Sequence, residues 1–407
     1  MADLVGHKRV LLISTAVTAL GSWVLAWAPN FWTFLIGWAI QGAYVVWLPI
    51  EVALVHRRTR ASGRQQLLTR RAAAVLVGAL ELSVIVAALS AGLLEGSLGM
   101  NWLLSLPAIV VTAVFFVILV GIEQTPGDDA DGRLDWGGLG LVTLSLGLLM
   151  AGLVLLRLWG AGALAGWGLI VVALVVFGVF VRFELRHPEP VVDMRLFGSS
   201  KQWPVQLTAF LFGVPVLGGQ IPLSTFAQAD PAARGYGLGV EPAFVSTLIG
   251  LYVITLAVGA FTLPLTTRLL GGTRQALLVA CLLVATGYLL WLPFHTHTWQ
   301  ALLNLAIAGF GSGALVAALP AAAAAGAPPE RTGIATGMTN GTKTVGGAIA
   351  SAVFAIALTA TGSLDAASET VAPLSGYYTV WAVCAGAALL AALALVLAPR
   401  DAFATRE

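Results

Sequence analysis

Apolar runs of membrane-crossing length recur along the whole chain, separated by short polar connections. A hydrocarbon layer about 30 Å thick takes roughly 20 apolar residues per helix. Twelve stretches of that kind are legible: 9–28, 31–55, 72–94, 102–122, 137–157, 163–183, 204–226, 243–265, 275–294, 299–325, 332–361 and 377–398. Barrel strands would instead alternate apolar and polar positions over about ten residues. The pattern predicts an all-α polytopic membrane protein. The first stretch follows a basic start and ends in Ala26-Trp27-Ala28, a small-x-small sequence like that of a cleaved leader. Pro29 after the would-be cut, and the return to apolar sequence at Phe31, predict a retained helix.

Composition agrees, with 58% hydrophobic residues, 10% charged residues and a mean hydropathy of +0.92. So little polar surface cannot clothe a water-soluble globule of 407 residues. Charge then gives the orientation, because Lys and Arg gather in cytoplasmic loops. With both termini inside, all of the 21 Lys and Arg except Arg157 and Arg234 fall on cytoplasmic segments. The net charge of +2 is therefore a topology signal and implies no nucleic acid. Cys281 and Cys384 lie within apolar runs and read as small core residues.

The chain also repeats itself. "ADLVGHKRVLLISTAVTALG" near the start parallels "TRLLGGTRQALLVACLLVATG" from Thr267, and "AIQGAYVVWLP" (Ala39 to Pro49) parallels "FGSGALVAALP" (Phe310 to Pro320). Parallel repeats of this sense mark two bundles related by an axis along the membrane normal, with a substrate path between them.

These segments resemble the fourteen-helix drug:proton antiporters of the major facilitator superfamily. "ADLVGHKR" is similar to part of that family's loop motif, with Asp3, Gly6, Lys8 and Arg9 on its positions, and Arg268, Gly271 and Arg274 form the second copy. "AIQGAYVVWLP" resembles the family's fourth helix, "RLDWGGLG" (Arg133 to Gly140) the start of its extra central pair, "FELRHPEPVVDMRLFGS" the loop after that pair, and "ERTGIATGMTNGTKTVGGAIASAV" its thirteenth helix. The resemblance implies a major facilitator fold in which the twelve spans match helices three to fourteen. It implies an incomplete four-helix N-terminal bundle over 1–122, an inserted helix pair with cytoplasmic loops over 123–203, and a six-helix bundle over 204–407. Without the family's first two helices, the small-residue face Gly346, Gly347 and Ala348 would lack a neighbour. The chain departs from the family at Trp38, where an Arg implicated in proton coupling is usual, and at Ala87 and Ala88, where a Gly-Pro is usual. An indole offers one N–H donor and no charge.

Within the spans, Glu81 lies about 15 Å deep at 1.5 Å per residue. A carboxyl there is either a proton or substrate site or a protonated group bonded to a neighbouring helix. Lys343 is the second proton-coupling candidate, against a snorkelling role, and Glu51 reads as interfacial. Trp38, Gln41, Tyr44, Gln220, Ser224, Gln228, Asn304 and Ser312 are the substrate-cavity candidates, since aromatic faces with sparse hydrogen-bonding groups suit amphipathic molecules; each could equally make an interhelical hydrogen bond. Pro215 and Pro222 predict a bent helix. The chain carries no Walker loop, no His-Glu-x-x-His and no Cys/His metal spacing, and "HTHT" (His295 to Thr298) reads as a solvated turn. No enzymatic activity, metal or cofactor is implied.

The function expected is secondary-active efflux of small amphipathic compounds by proton antiport in the bacterial inner membrane. The chain would act as a monomer, with the lipid bilayer, the substrate and protons as its partners. The competing expectation is a truncated, non-transporting relative with a structural role in the membrane.

Overall fold

The computed structural model describes residues 6–59, 65–94, 97–123, 135–188, 190–328, 332–359 and 372–398. All regular structure among these residues is helical, and ten helices are long and apolar enough to cross a membrane. The chain divides into two compact units, residues 1–134 and 135–407.

The first unit begins with α1 (His7–Ala26), which packs against α2 (Phe31–Gln41) as a tight hairpin. Asn30 caps α2, its side chain accepting from the Thr33 amide at 2.9 Å. A Cβ at Gly21 would lie 2.8 Å from the Gly37 carbonyl oxygen and 2.5 Å from the Gln41 nitrogen, so the two backbones touch directly. The span expected over 31–55 is not one α-helix. A 3₁₀ turn, Gly42–Val46, separates α2 from α3 (Trp47–Arg58). Glycine followed after two residues by paired β-branched valines is weak α-helical sequence, which hydropathy does not register. α4 (Gln65–Leu94) and α5 (Met100–Gly121) complete the unit. Trp23 on α1 donates to the Thr112 hydroxyl on α5 at 3.1 Å.

The second unit opens with the antiparallel pair α6 (Trp136–Trp159) and α7 (Leu164–Glu184), tied by the Ser145 hydroxyl donating to the Ala173 carbonyl at 3.0 Å. There follow α8 (Trp203–Gly213), a π turn (Val214–Gly218), α9 (Gln220–Gln228), α10 (Pro242–Leu269), α11 (Thr273–Leu290), α12 (Thr298–Gly326), α13 (Thr332–Thr359) and α14 (Leu374–Leu397). α12 is the hub, packing on α10, α11, α13 and α8. Buried alanines and glycines fill its length, because dispersion between closely approaching backbones holds helices together where solvent exclusion cannot. The small-residue face of α13 has a neighbour inside this unit: Gly346 lies against the Phe210 backbone and Gly347 against Leu217, while Ala348 is exposed. Cys281 and Cys384 are buried free thiols.

The repeat is visible in the packing of each unit. Gly6 (φ 98°) precedes α1, and Gly271 (φ 79°) and Gly272 (φ 146°) precede α11. The second residue of each helix donates to the far end of a neighbouring helix: Lys8 Nζ to the Leu119 carbonyl on α5 at 2.8 Å, and Arg274 Nε to the Leu395 carbonyl on α14 at 2.9 Å, with its Nη2 reaching Val396. A cation there meets both the unpaired carbonyls and the negative end of the helix dipole. Gly287 on α11 touches the α12 backbone at Asn304 and Ala308 as Gly21 touches α2. Lys8 is thus the equivalent of Arg274, one place earlier than the sequence parallel of Arg9 suggests. The second parallel is looser, since Gly313 is jammed against Leu256 whereas Gly42 faces open space.

Candidate substrate and proton site

The polar interior of the second unit begins where α8 breaks. Pro215 cannot donate to the helix ladder, and the chain widens into the π turn there. The Pro215 carbonyl accepts instead from the buried Tyr288 hydroxyl at 2.8 Å. Immediately after the break, Gln220, Ser224 and Gln228 recur every fourth residue along α9. Gln228 Nε2 donates to Ser224 Oγ at 3.2 Å, while Gln220 Oε1 is buried and has no hydrogen-bond partner among the described residues. π interruptions of this kind concentrate at functional positions.

Asn304 and Ser312 on α12 serve different neighbours. Asn304 Nδ2 donates to the Phe294 carbonyl at 2.8 Å, and its buried Oδ1 has no partner among the described residues. Ser312, fully buried, accepts from Tyr252 on α10 at 2.9 Å. Lys343 lines a cavity of about 20 Å³ with Thr339, Asn340 and Pro320, room for about one water.

In the first unit, Gln41 Nε2 donates to Ser22 Oγ at 3.0 Å and so fastens the α1/α2 hairpin. Trp38 is 61% exposed and stacks on Phe34, and Tyr44 is exposed within the 3₁₀ turn. The backbone of Glu81 lies in α4, but its side chain, like all of Asp3, lies outside the described residues. Arg9 is exposed, and Arg268 sits in the last turn of α10.

Three groups escaped the sequence reading. The first is an amide network at the start of α8. Gln202 Nε2 donates to the Ala323 carbonyl at 2.6 Å, and the fully buried Gln206 donates to Thr339 Oγ1 at 3.1 Å and accepts from Thr342 at 3.4 Å. Two glutamines one turn apart at the edge of an apolar run were the available signal. Gln206→Leu is expected to remove the acceptor of the Thr342 hydroxyl and one of the two bonds of Thr339, whose hydroxyl still donates to the Ala335 carbonyl at 2.9 Å, and to cost about 1–3 kcal/mol, read as a lower midpoint in detergent thermal denaturation.

The second is an aromatic cluster, Phe226, Tyr236, Trp291, His295, Tyr377 and Trp381. Trp381 stacks on Trp291 at 5.0 Å and meets Phe226 edge-on at 5.0 Å. His295 belongs to this cluster, its Nδ1 within 3.1 Å of the Trp291 and Leu292 carbonyls, and is not a solvated turn residue as expected. His297 instead caps α12 through a reciprocal pair with Gln300.

The third is an inward-facing acidic pair on the inserted helices. Asp135 caps α6 by accepting from the Gly138 amide at 2.8 Å, and Glu184 Oε2 accepts from the Val192 amide at 3.2 Å. Asp135 Oδ2 and Glu184 Oε1 both crowd the bare Cα of Gly138. Among the described residues neither oxygen accepts from an amide or hydroxyl; the two carboxyls interact with each other, and His187 Nδ1 stands 3.8 Å from Asp135 Oδ2. Among the described residues, no group of three or more His, Cys, Asp or Glu is placed to hold a metal ion.

No family model matches the chain. It is 25% identical over 256 residues to a uridine/deoxyuridine transporter of Lactococcus lactis, an alignment covering 61% of this chain and 52% of that protein. It is 25% identical to multidrug resistance protein 3 of Bacillus subtilis, covering 79% of this chain and 61% of that protein. With the quinolone resistance protein NorB of Staphylococcus aureus it shares 24% identity, over 88% of this chain and 76% of NorB. The chain thus spans between about half and two thirds of the length of the first two. Among solved structures, an auto-inhibited POT family peptide transporter superposes with a TM-score of 0.63 at 18% identity, over 96% of this chain and 82% of that one. The POT family transporter PepTSo gives 0.64 at 16% identity, over 98% and 85%. At such identities the likeness shows the fold, which is of major facilitator type.

Proposed function

We propose that this chain acts as a secondary-active efflux transporter, exporting small amphipathic compounds such as drugs or antibiotics by proton antiport across a bacterial plasma membrane, with both termini cytoplasmic. One observation carries the reading: a membrane span interrupted at Val214–Gly218 and followed at once by Gln220, whose buried amide oxygen meets no donor among the described residues. An interrupted helix inside the bilayer is tolerated where it serves a binding site. An unmet acceptor beside apolar helices suits a substrate that brings an N–H or O–H on a largely hydrophobic body. The relatives named for multidrug and quinolone resistance support the same class of cargo.

In this reading Gln220, Ser224 and Gln228 contact the substrate, and Glu81 carries the proton, with Lys343 as the second proton-coupling candidate. A carboxyl near mid-membrane gains and loses a proton according to which side wets it, which is the exchange antiport requires. The test is ethidium accumulation in an efflux-deficient bacterium. The wild-type chain is expected to lower accumulation several-fold, a protonophore to abolish that effect, and Glu81→Gln to return accumulation to the vector level. Gln220→Leu is expected to weaken export of hydrogen-bond-donating substrates while sparing purely apolar cations. Accumulation unchanged by the wild type would overturn the transport reading, and full export by Glu81→Gln would remove Glu81 from it.

A further inference from the structure

The helix α7 has 21 residues, about 31 Å at 1.5 Å per residue, which matches the hydrocarbon thickness and puts its two ends at the two headgroup layers. Exposed Trp159 and Trp167 mark one end of the inserted pair. The other end carries exposed Trp136, and there Val179, Arg182, Phe183, Arg186, His187 and Pro188 line a recess of about 340 Å³.

Charge is sorted across this recess. Arg182 and Arg186 stand one turn apart and are exposed, and among the described residues neither guanidinium meets a hydrogen-bond acceptor. The nearby carboxyls of Asp135 and Glu184 are turned inward, 6% and 1% exposed. His187 stands between the two layers, its ring stacked on Phe183 at 5.5 Å and its Nδ1 directed at Asp135. The following segment is folded back and fixed: the Val192 amide donates to Glu184, and Arg195 Nη2 donates to the Leu185 carbonyl at 2.6 Å. The segment beside the recess is therefore anchored by hydrogen bonds, and among the described residues the two guanidiniums of the recess pair with no carboxylate.

We infer that this recess binds the headgroup phosphate of an anionic phospholipid, with Arg182 and Arg186 donating to its oxygens and Val179 and Phe183, deeper along α7, meeting its acyl chain. Two guanidiniums can each offer a planar pair of donors to phosphate. Their depth is where lipid phosphates lie, and the apolar side of the recess continues into the bilayer. A soluble anion would satisfy the arginines but leave that apolar side unused. The inference is independent of what the chain transports.

The test uses the purified full chain in detergent, titrated with phosphatidylglycerol or phosphatidylcholine and followed by thermal denaturation. Phosphatidylglycerol is expected to raise the melting temperature beyond the phosphatidylcholine value. Arg182→Gln/Arg186→Gln should lose that increment, with apparent affinity falling about tenfold as two charge-assisted contacts go. Arg58→Gln/Lys201→Gln, which removes the same charge elsewhere, should keep it. Native mass spectrometry of the wild type in an equal mixture of the two lipids gives a second readout, with preferential retention of phosphatidylglycerol expected. Equal response to both lipids, or an increment that survives in Arg182→Gln/Arg186→Gln, would overturn the proposal. So would an equal shift with glycerol phosphate alone, which would make the site one for soluble anions.

Discussion

Valine at Gly313 will hold α10 and α12 apart and remove most of the folded protein. A Cβ at this position collides with the Leu256 carbonyl oxygen and lies 2.6 Å from its carbon and 2.8 Å from the Ala260 nitrogen. These are backbone atoms of a regular helix, so no rotamer change relieves the clash. Gly259 meets Phe310 and Gly309 meets Tyr252 in the same backbone-to-backbone manner, so the contact runs along both helices. Overpacking with room to repack costs about 1–3 kcal/mol, and here the hub helix itself must shift, so the upper end of that range is the expected minimum. Fluorescence-detected size exclusion should show the monodisperse peak of Gly313→Val largely lost. Gly140→Val, which faces open space on α6, should behave like the wild type. A normal peak and melting midpoint for Gly313→Val would mean that α10 and α12 do not approach as described.

Trp381→Ala is expected to have the second largest effect. The indole is almost fully buried and touches rings from three segments: Phe226 on α9, Trp291 and His295 after α11, and Tyr377 and Tyr378 on its own helix α14, within a cluster that Tyr236 extends. Truncating a buried Trp to Ala costs about 3–5 kcal/mol through lost contacts and the cavity left behind, and each well-placed aromatic pair adds about 0.5–1.5 kcal/mol. The melting midpoint in detergent should fall sharply, and Trp381→Phe should restore most of it. A midpoint unchanged by alanine would show that the cluster contributes little to holding α9, α11 and α14 together.

Hydropathy alone made the helical membrane class and most of the spans legible, because the bilayer forces backbone groups to pair within each segment. It did not reveal the 3₁₀ turn at Gly42–Val46, since that turn is as apolar as the helices beside it. The proline stretch around Pro215 signalled irregularity correctly, and the structure gives it as a π turn. Side-chain roles were harder to read. Gln41 and Ser312 have the composition of cavity residues, yet the structure gives both to interhelical hydrogen bonds. The Asp135 and Glu184 pair lies at the two ends of a hairpin, where only the folding back of α7 on α6 brings the two together. Likewise the Trp381 cluster draws on residues from Phe226 to Trp381, and no local pattern announces it.

The α1/α2 hairpin bears on how the chain is made. Its glycine contacts, its Asn30 cap and its Gln41 to Ser22 bond all fall between His7 and Gln41. Contacts so close in sequence need no distant partner, and chains emerge from the ribosome N-terminus first. The hairpin can therefore leave the translocon as a finished pair, so that α5 of the same unit inserts against a surface already in place.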